Sequence, residues 1–208
     1  CEVTSAGDIN GDGYGDLMVA NRTFDMPTET GTLTDAGVVH IWYGPPPAAM
    51  DADLIAGTES ADASIVGAVG ERVGDFTANL KGERRFGALN GDGYGDILIP
   101  YHTDLEMSSD SMNLVTVTGP LEGVTLRGDW NTVFRENRSL NDPLAQVVTD
   151  ITTDGRDDVF ASDYPYTHFY ESESGFSSLA WGDDFFQPSY QEPRIKSADW
   201  SGDGVTDV

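Results

Sequence analysis

Acidic and amide side chains recur with one nine-residue spacing at four places in the chain. The four segments cover residues 8–16, 88–96, 150–158 and 199–207, and each has aspartate at positions five and nine. Glycine follows position five in every segment, and position one is aspartate in all but the second. Oxygen ligands at alternate positions, with a glycine that permits a sharp turn, let a short loop wrap around a cation. The sequence therefore predicts four metal-binding loops.

Each predicted loop offers the metal the side chains of positions one, three, five and nine and the backbone carbonyl of position seven. Position seven varies because only its carbonyl is used. Ala88 occupies position one of the second loop, so that either water fills the gap or the site is weak or empty. The predicted ligands are Asp8, Asn10, Asp12, Tyr14 and Asp16; Asn90, Asp92, Tyr94 and Asp96; Asp150, Thr152, Asp154, Arg156 and Asp158; and Asp199, Ser201, Asp203, Val205 and Asp207.

The donor set favours calcium. No loop contains histidine or cysteine, and oxygen-only ligands favour a hard cation over zinc or copper. A flexible cage rich in protein oxygens suits Ca²⁺ better than Mg²⁺. The simpler alternative is that Asp, Asn and Gly only form surface turns. Turns do not require acids in this register, however, and two carboxylates about 4 Å apart repel by ~4 kcal/mol at an effective dielectric of 20. We therefore expect one Ca²⁺ in each of three or four loops.

EF-hand and dockerin loops share the first part of this spacing. Those loops need an acidic residue at position twelve and a helix after it. Position twelve here is Val19, Ile99 or Ala161, and each lies in an apolar run that is prone to form a strand. An EF-hand is therefore disfavoured.

The rest of the sequence is typical of an all-β protein. The 24 glycines and 10 prolines supply tight turns. No long stretch has a helical period, and the region Asp51–Lys81 holds at most a short helical turn. Six apolar runs are predicted to form strands: Leu17–Ala20, Val38–Tyr43, Ile97–Ile99, Leu114–Thr118, Val159–Ala161 and Thr167–Tyr170.

The string Gly7–Leu17, and Phe86–Gly87 followed by Asn90–Ile97, resemble FG-GAP/VCBS repeats. These are the calcium-loop blades of integrin-α-like β-propellers and are common in bacterial surface proteins. In that family the loop joins two strands of a four-stranded blade, and a later strand is similar to Gly37–Gly44. The resemblance implies antiparallel propeller-type blades over residues 1–208. Since the family usually closes a ring of about seven blades, we expect a fragment of a longer propeller or a subunit whose blades neighbouring chains complete.

Charge and hydrophobicity exclude two classes of function. The chain has 36 acidic and 11 basic residues, for a net charge of −25, which would repel nucleic acid. No run approaches about 18 consecutive apolar residues, so no transmembrane helix is predicted. The single cysteine, Cys1, cannot form an intramolecular disulfide. It is either the lipid-bearing residue of a bacterial lipoprotein or, more simply, an arbitrary boundary of the sequence.

The sequence contains no recognisable catalytic set. His40, His102 and His168 are isolated, and no Ser/His/Asp or Cys/His arrangement can be nominated. Eight aromatic residues could stack on sugars, although core packing explains most of them more simply. They are Trp42, Tyr43, Trp130, Trp181, Phe185, Phe186, Tyr190 and Trp200.

These observations favour a non-enzymatic, secreted or surface-attached calcium-binding module for adhesion or assembly, in which Ca²⁺ is structural. The expected partner is a protein or glycan on a cell surface or matrix, or another copy of the chain through self-assembly. Two alternatives stay open. One is a carbohydrate-binding, lectin-like module, and the other is an accessory domain of a larger polysaccharide-active or phospholipase-type enzyme.

Overall fold

Antiparallel β-sheets make up the part of the chain described by the computed structural model, which comprises residues 2–44, 61–75, 86–102, 112–130, 135–140, 144–148, 150–163, 166–170 and 178–181. The predicted all-β class is confirmed. Within these ranges there is no helix with the length and hydrophobicity needed to span a bilayer. The strands are β1 Glu2–Gly7, β2 Asp16–Asn21, β3 Met26–Thr28, β4 Gly31–Leu33, β5 Val38–Trp42, β6 Ala63–Val66, β7 Phe86–Gly87, β8 Asp96–His102, β9 Met112–Val117, β10 Gly123–Leu126, β11 Arg135–Leu140, β12 Leu144–Val148, β13 Asp158–Asp163, β14 Tyr166–Tyr170 and β15 Ser178–Trp181.

Three four-stranded antiparallel meanders follow one another within the described residues. Their strand orders are β1-β2-β5-β6, β7-β8-β9-β11 and β12-β13-β14-β15. The hairpin β3–β4 is inserted between β2 and β5. The first strand of each meander lies at the edge of its sheet, and β7 lies next to both β1 and β12. The three meanders therefore approach one another along their first strands.

The segment between β9 and β11 crosses from the second sheet to the first. Its strand β10 pairs in parallel with β6 and so adds a fifth strand to the first sheet. After β10, Arg127 Nε donates to Glu71 Oε1 at 2.8 Å. The Arg127 guanidinium lies 5.0 Å from the ring centre of Tyr101 and 4.6 Å from that of Trp130, distances at which a cation is attracted to an aromatic face. These contacts hold the crossing against the second sheet.

The main core combines apolar side chains of the first and second sheets. Burial of such side chains supplies the dominant favourable term in folding, roughly 1.5–3 kcal/mol for each large residue. The cluster comprises Ala6, Ile9, Met18, Ala20, Val39, Ile41, Ala63, Ile65, Val73, Ile97, Ile99, Tyr101, Val115, Val117, Leu121 and Trp130. Because Ile9 belongs to this cluster, the first predicted loop is anchored directly in the core.

Strand β8 is buried along its whole length and contains a proline, Pro100, as the fifth of its seven residues. A proline cannot donate to the ladder and is usually excluded from central strands. The carbonyl of Pro100 accepts a hydrogen bond from Gly74 N at 3.2 Å, so its polar groups point away from β9. On that side β7 has already ended, since it pairs with β8 only as far as Ile97. The missing N–H therefore leaves no strand partner unsatisfied.

All six predicted strands are confirmed, in β2, β5, β8, β9, β13 and β14. The other strands were not predicted. In the region Asp51–Lys81, expected to hold at most a helical turn, residues 61–75 contain strand β6, and the rest lies outside the described residues. The short Ala63–Val66 run is too brief to show a period, and its strand state is set by pairing with β5.

Candidate metal-binding loops

Three of the four predicted loops occupy equivalent places in the fold. Residues 8–16 join β1 to β2, residues 88–96 join β7 to β8, and residues 150–158 join β12 to β13. Each loop therefore connects the first and second strands of one meander. The fourth loop lies outside the described residues, with its predicted ligands Asp199, Ser201, Asp203, Val205 and Asp207. We number positions one to nine within each loop and call the three described loops the first, second and third.

Two positions of each loop have left-handed backbone. At position six, where the sequence predicts a glycine turn, φ is 87° for Gly13, 92° for Gly93 and 87° for Gly155. Glycine adopts this conformation at little cost. Position four is also left-handed, which the ligand pattern did not indicate. The first two loops have glycine there, whereas the third has Thr153 with φ 62°.

Position one organises the first and third loops through its carboxylate. Asp8 Oδ1 accepts the N–H of Asp12 at 3.0 Å, and Asp8 Oδ2 accepts the N–H of Gly13 at 2.9 Å. In the third loop, Asp150 accepts the corresponding N–H groups at 3.1 and 2.7 Å. The second loop has Ala88 here and cannot form these bonds. The position-one carboxylate thus stabilises the first and third loops by two hydrogen bonds each, and the second loop lacks both bonds.

Positions three and five form a local network that is the same in the first and second loops. Asn10 Oδ1 accepts from Asp12 N at 3.1 Å, and Asn10 Nδ2 donates to Asp12 Oδ2 at 2.9 Å. Asn90 and Asp92 repeat these bonds at 3.0 and 2.7 Å. These side chains are brought together as the spacing predicts, and the position-five carboxylate also accepts the position-seven N–H in all three loops. For Tyr14, Tyr94 and Arg156 the structure thus shows a bonded N–H, while use of the carbonyl stays a prediction.

The aspartate at position nine accepts backbone N–H groups of its own loop. Asp16 Oδ2 accepts the N–H of Ile9 at 2.7 Å, and Oδ1 accepts that of Gly44 at 2.8 Å. Asp96 accepts from Leu89 N at 2.8 Å and from Gly119 N at 3.2 Å. In the third loop, Asp158 likewise accepts from the N–H groups of Ile151 and Thr152, at 2.8 and 3.2 Å. All three carboxylates are buried. This residue therefore fixes the loop by hydrogen bonds, and in the first two loops it also binds a residue beyond the loop, Gly44 or Gly119. We call it the stapling aspartate.

The stapling role was missed by sequence reasoning, which assigned position nine only to closing the metal cage. A signal for it exists in the sequence. Position two is apolar in every described loop, as Ile9, Leu89 and Ile151, and an apolar strand follows position nine directly. An acid that directly precedes an apolar strand tends to be drawn into the sheet, and a buried acid must find hydrogen-bond donors.

Burial shifts the proton affinity of the stapling carboxylates. Desolvation raises the pKa of Asp96 to about 6, against the opposing effect of the N–H groups of Gly119, Leu89 and Asn90. The pKa of Asp16 is also raised, again chiefly by burial, with smaller contributions from the charges of Asp12 and Asp8. A nearby cation would oppose both shifts because it favours the charged form.

The donor chemistry of the loops fits a hard cation. The side chains at positions one, three, five and nine of the first loop, and at positions three, five and nine of the second, carry carboxylate or amide oxygens, and the third loop adds the hydroxyl of Thr152. Each carboxylate oxygen has two lone pairs, so one that accepts a single N–H can still bind a metal. No three acidic, histidine or cysteine side chains in the described ranges converge as a metal site. Each loop thus offers at most two grouped carboxylates, together with neutral oxygens.

The side chains considered for catalysis or sugar binding lie mostly in packed surroundings. His40 Nδ1 is 2.8 Å from Ser64 Oγ, and burial lowers the pKa of His40. Trp42 and Trp130 are buried, in agreement with the core-packing interpretation, and the hydroxyl of Tyr43 donates to the carbonyl of Leu121. The side chains of His168, Trp181, Phe185, Phe186, Tyr190 and Trp200 lie outside the described residues.

One charged cluster was not anticipated. The guanidinium of Arg22 contacts both carboxylate oxygens of the buried Asp75 at 3.1 Å, and His102 Nε2 lies 3.3 Å from Asp75 Oδ2. These residues are far apart in sequence, at positions 22, 75 and 102, so no local pattern could indicate that they meet. The cluster links the first sheet to the end of β8, and its contacts are those of a structural ion pair.

Comparison with known families bears on the first meander. Residues 2–42, which run from β1 through the first loop to β5, match the model of the FG-GAP repeat. The resemblance stated from Gly7–Leu17 is therefore confirmed for this segment. FG-GAP repeats build β-propellers. A search of curated proteins finds no match to the chain.

Proposed function

We propose that this chain is a calcium-stabilised, β-propeller-type repeat module that acts outside the cell in adhesion or assembly, without catalysis of its own. The supporting observation is the threefold repetition of one loop at one structural position. Each described loop joins the first two strands of a meander and carries oxygen donors at alternate positions. An FG-GAP repeat contains the first of these loops.

In this proposal calcium holds the loop acids together and fixes the hairpin around them. Asp8, Asn10 and Asp12 would hold an ion in the first loop with the Tyr14 carbonyl, and Asp16 would contribute a remaining lone pair. Their counterparts would act in the other loops. Two grouped carboxylates per loop suit weak binding, since the affinity of calcium sites follows the charge count of the ligands. Extracellular calcium modules have Kd values of about 10⁻⁴–10⁻³ M, which fits a secreted or surface-attached protein.

The partner we propose is a protein or glycan on a cell surface or matrix, or another copy of the chain. The lectin-like alternative draws little support from the described aromatic residues, because Trp42 and Trp130 are buried in the core. The acidic surface, with a net charge of −25, is also less repulsive when divalent ions are bound.

Thermal unfolding with calcium or with chelator tests the proposal. At calcium concentrations tenfold above Kd, each occupied loop adds about 1.4 kcal/mol to the free energy of unfolding. Three loops would add about 4 kcal/mol, which raises Tm by about 10 °C for a chain of this size. Magnesium at the same concentration should give a smaller shift, since it prefers a rigid octahedral shell that retains waters. Equal melting curves in calcium and in EDTA would refute calcium stabilisation.

A further inference from the structure

Neighbouring loops are joined by the same backbone hydrogen bond at both places where the structure describes a pair. The N–H of Gly95, at position eight of the second loop, donates to the carbonyl of Asp8 at 2.8 Å. The N–H of Asp157, at position eight of the third loop, donates to the carbonyl of Ala88 at 3.0 Å. Position eight of one loop therefore binds position one of the loop before it.

Side chains at position seven reinforce this contact. A Cβ atom placed on Gly11 would lie 3.1 Å from the ring of Tyr94, and one placed on Gly91 would lie 3.3 Å from the Arg156 side chain. Position seven of each later loop thus packs over the position-four glycine of the loop before it. A Cβ on Gly95 would lie 2.7 Å from the Asp8 carbonyl oxygen, so the backbones are in direct contact.

Asp157 adds a contact that the other loops lack. Position eight is glycine in the first and second loops, as Gly15 and Gly95, whereas the third loop has an aspartate. The Oδ2 atom of Asp157 accepts the N–H of Ala88 at 3.0 Å. Residues 88 and 157 are therefore paired in both directions. The second loop lacks a carboxylate of its own at position one. The Asp157 carboxylate of the third loop instead binds the backbone N–H of this position.

We infer that the second and third loops respond to calcium as a coupled pair, with Asp157 as the residue that positions the second loop. This inference rests on the proposed calcium function. Asp154, Arg156 and Asp158 would hold an ion in the third loop and would then be ordered around Asp157, whose carboxylate fixes Ala88 at the start of the second loop. Coupling of this kind is reciprocal, so an ion in the second loop raises the affinity of the third by the same factor.

A site-resolved calcium titration of the full chain tests the coupling. Amide NMR signals of the position-six glycines Gly13, Gly93 and Gly155 report one loop each. Asp154→Asn removes a carboxylate from the third loop, and the calcium midpoint of Gly93 should then rise about fivefold, a typical coupling factor. The Gly13 midpoint should move much less. In a background carrying Asp157→Gly, the response of Gly93 to Asp154→Asn should become much smaller, because only the backbone bond of residue 157 and the contact of Arg156 with Gly91 remain.

Two further variants separate a positioning role from a general loss of charge. Asp157→Asn keeps an oxygen acceptor for Ala88 N and should restore most of the coupling. Gly15→Asp places the same residue at position eight of the first loop, where nothing lies within 4 Å of the new Cβ. It should leave the Gly93 midpoint unchanged. If Asp157→Asn and Asp157→Gly lose the coupling equally, the hydrogen bond from Ala88 N–H to residue 157 does not position the second loop.

A measurement without calcium checks the same contact. In EDTA the amide hydrogen of Ala88 should exchange slowly in the natural chain and about fivefold faster in Asp157→Gly, as expected for loss of one hydrogen bond. If calcium shifts the glycine signals but the calcium midpoint of Gly93 is unchanged by Asp154→Asn, the coupling is wrong and the calcium function stands. If calcium shifts no glycine signal, the calcium function itself is wrong and the coupling is wrong with it.

Discussion

The first and second loops contain the same seven residues, Asn10–Asp16 and Asn90–Asp96, in different surroundings. Their internal hydrogen bonds agree closely, so the shared sequence sets the loop conformation. They differ at position one, where Asp8 braces its loop and Ala88 cannot. They also differ in their neighbours, since Tyr14 is 56% exposed whereas Tyr94 packs over Gly11. The comparison shows that the short motif determines shape, and the residues around it determine charge, burial and coupling.

The two loops also differ in how completely the stapling aspartate at position nine is buried. Asp96 is fully buried and Asp16 is 4% exposed. Asp96 accepts three backbone N–H groups and Asp16 accepts two. The larger rise in pKa at Asp96 follows from its greater desolvation. Loss of this residue should therefore have the largest effect on stability.

Asp96→Ala should lower the free energy of unfolding by roughly 3–5 kcal/mol in EDTA, because it leaves buried N–H groups of Leu89 and Gly119 without an acceptor. Asp92→Ala, in the exposed part of the same loop, should cost only about 1 kcal/mol. Urea unfolding of the two variants measures the difference. Similar losses would show that position nine is no more important to the fold than position five.

The pH dependence of the calcium-free protein should reveal the raised pKa of Asp96. Since the folded-state pKa is about 6 and the ordinary value is 3.8, the folded state binds the extra proton between these values. The stabilisation is complete below about pH 4 and is lost as the pH rises to 6. Each pKa unit corresponds to about 1.4 kcal/mol, so the change is at most about 3 kcal/mol.

Asp96→Asn is the control for this pH effect, because an amide has the shape of the carboxyl group and does not titrate. Burial lowers the pKa of His40, which works in the opposite direction and removes stability as the pH falls below about 6.5. His40 is present in both proteins, so the difference between their stability curves isolates Asp96. A difference that stays constant from pH 4 to pH 6.5 would contradict the raised pKa.

Exchanging position one should make the two loops resemble each other. Asp8→Ala removes two charge-assisted hydrogen bonds and should cost about 1–2 kcal/mol in EDTA. It should also weaken calcium binding at the first loop by about tenfold, as the glycine signal of Gly13 would report. The reverse change combines Ala88→Asp with Asp157→Gly, since the Asp157 carboxylate would repel a new acid at position 88. That double variant should bind calcium more tightly at the second loop. If the calcium midpoints stay unchanged in both exchanges, the residue at position one is not a calcium ligand.

The sequence was sufficient where a local pattern carried the information. The loop positions, the glycine turn at position six and the strands that follow each loop could all be predicted from spacing and apolar runs. Strand β6 and the crossing strand β10 could not, because their state depends on pairing with distant partners. The contact between Asp157 and Ala88 could not be predicted either, since these two residues are 69 positions apart and meet only because their loops lie side by side.

The expected cage illustrates the same limit within one loop. Spacing predicts which acids belong together, but it does not show which way each carboxylate turns. Position nine was expected to close the cage. Its carboxylate accepts backbone N–H groups of the loop, and its contact with a metal stays a prediction. The backbone N–H groups that surround each carboxylate offset part of the repulsion expected among the acids.

The smallest expected effect concerns position four of the third loop. Thr153 has φ 62°, a conformation that is strained for a β-branched residue, whereas the first two loops have glycine there. Thr153→Gly should relieve about 1–3 kcal/mol of strain and lose part of this gain to the greater freedom of glycine in the unfolded chain. The net result is a stabilisation of about 1 kcal/mol in EDTA, measured by urea unfolding. Thr152→Gly is the matched control and should destabilise, because the backbone at position 152 is not left-handed. If both variants lower stability, the third loop gains more from its threonine than the strain costs, and its backbone is held by contacts that the first two loops do not share.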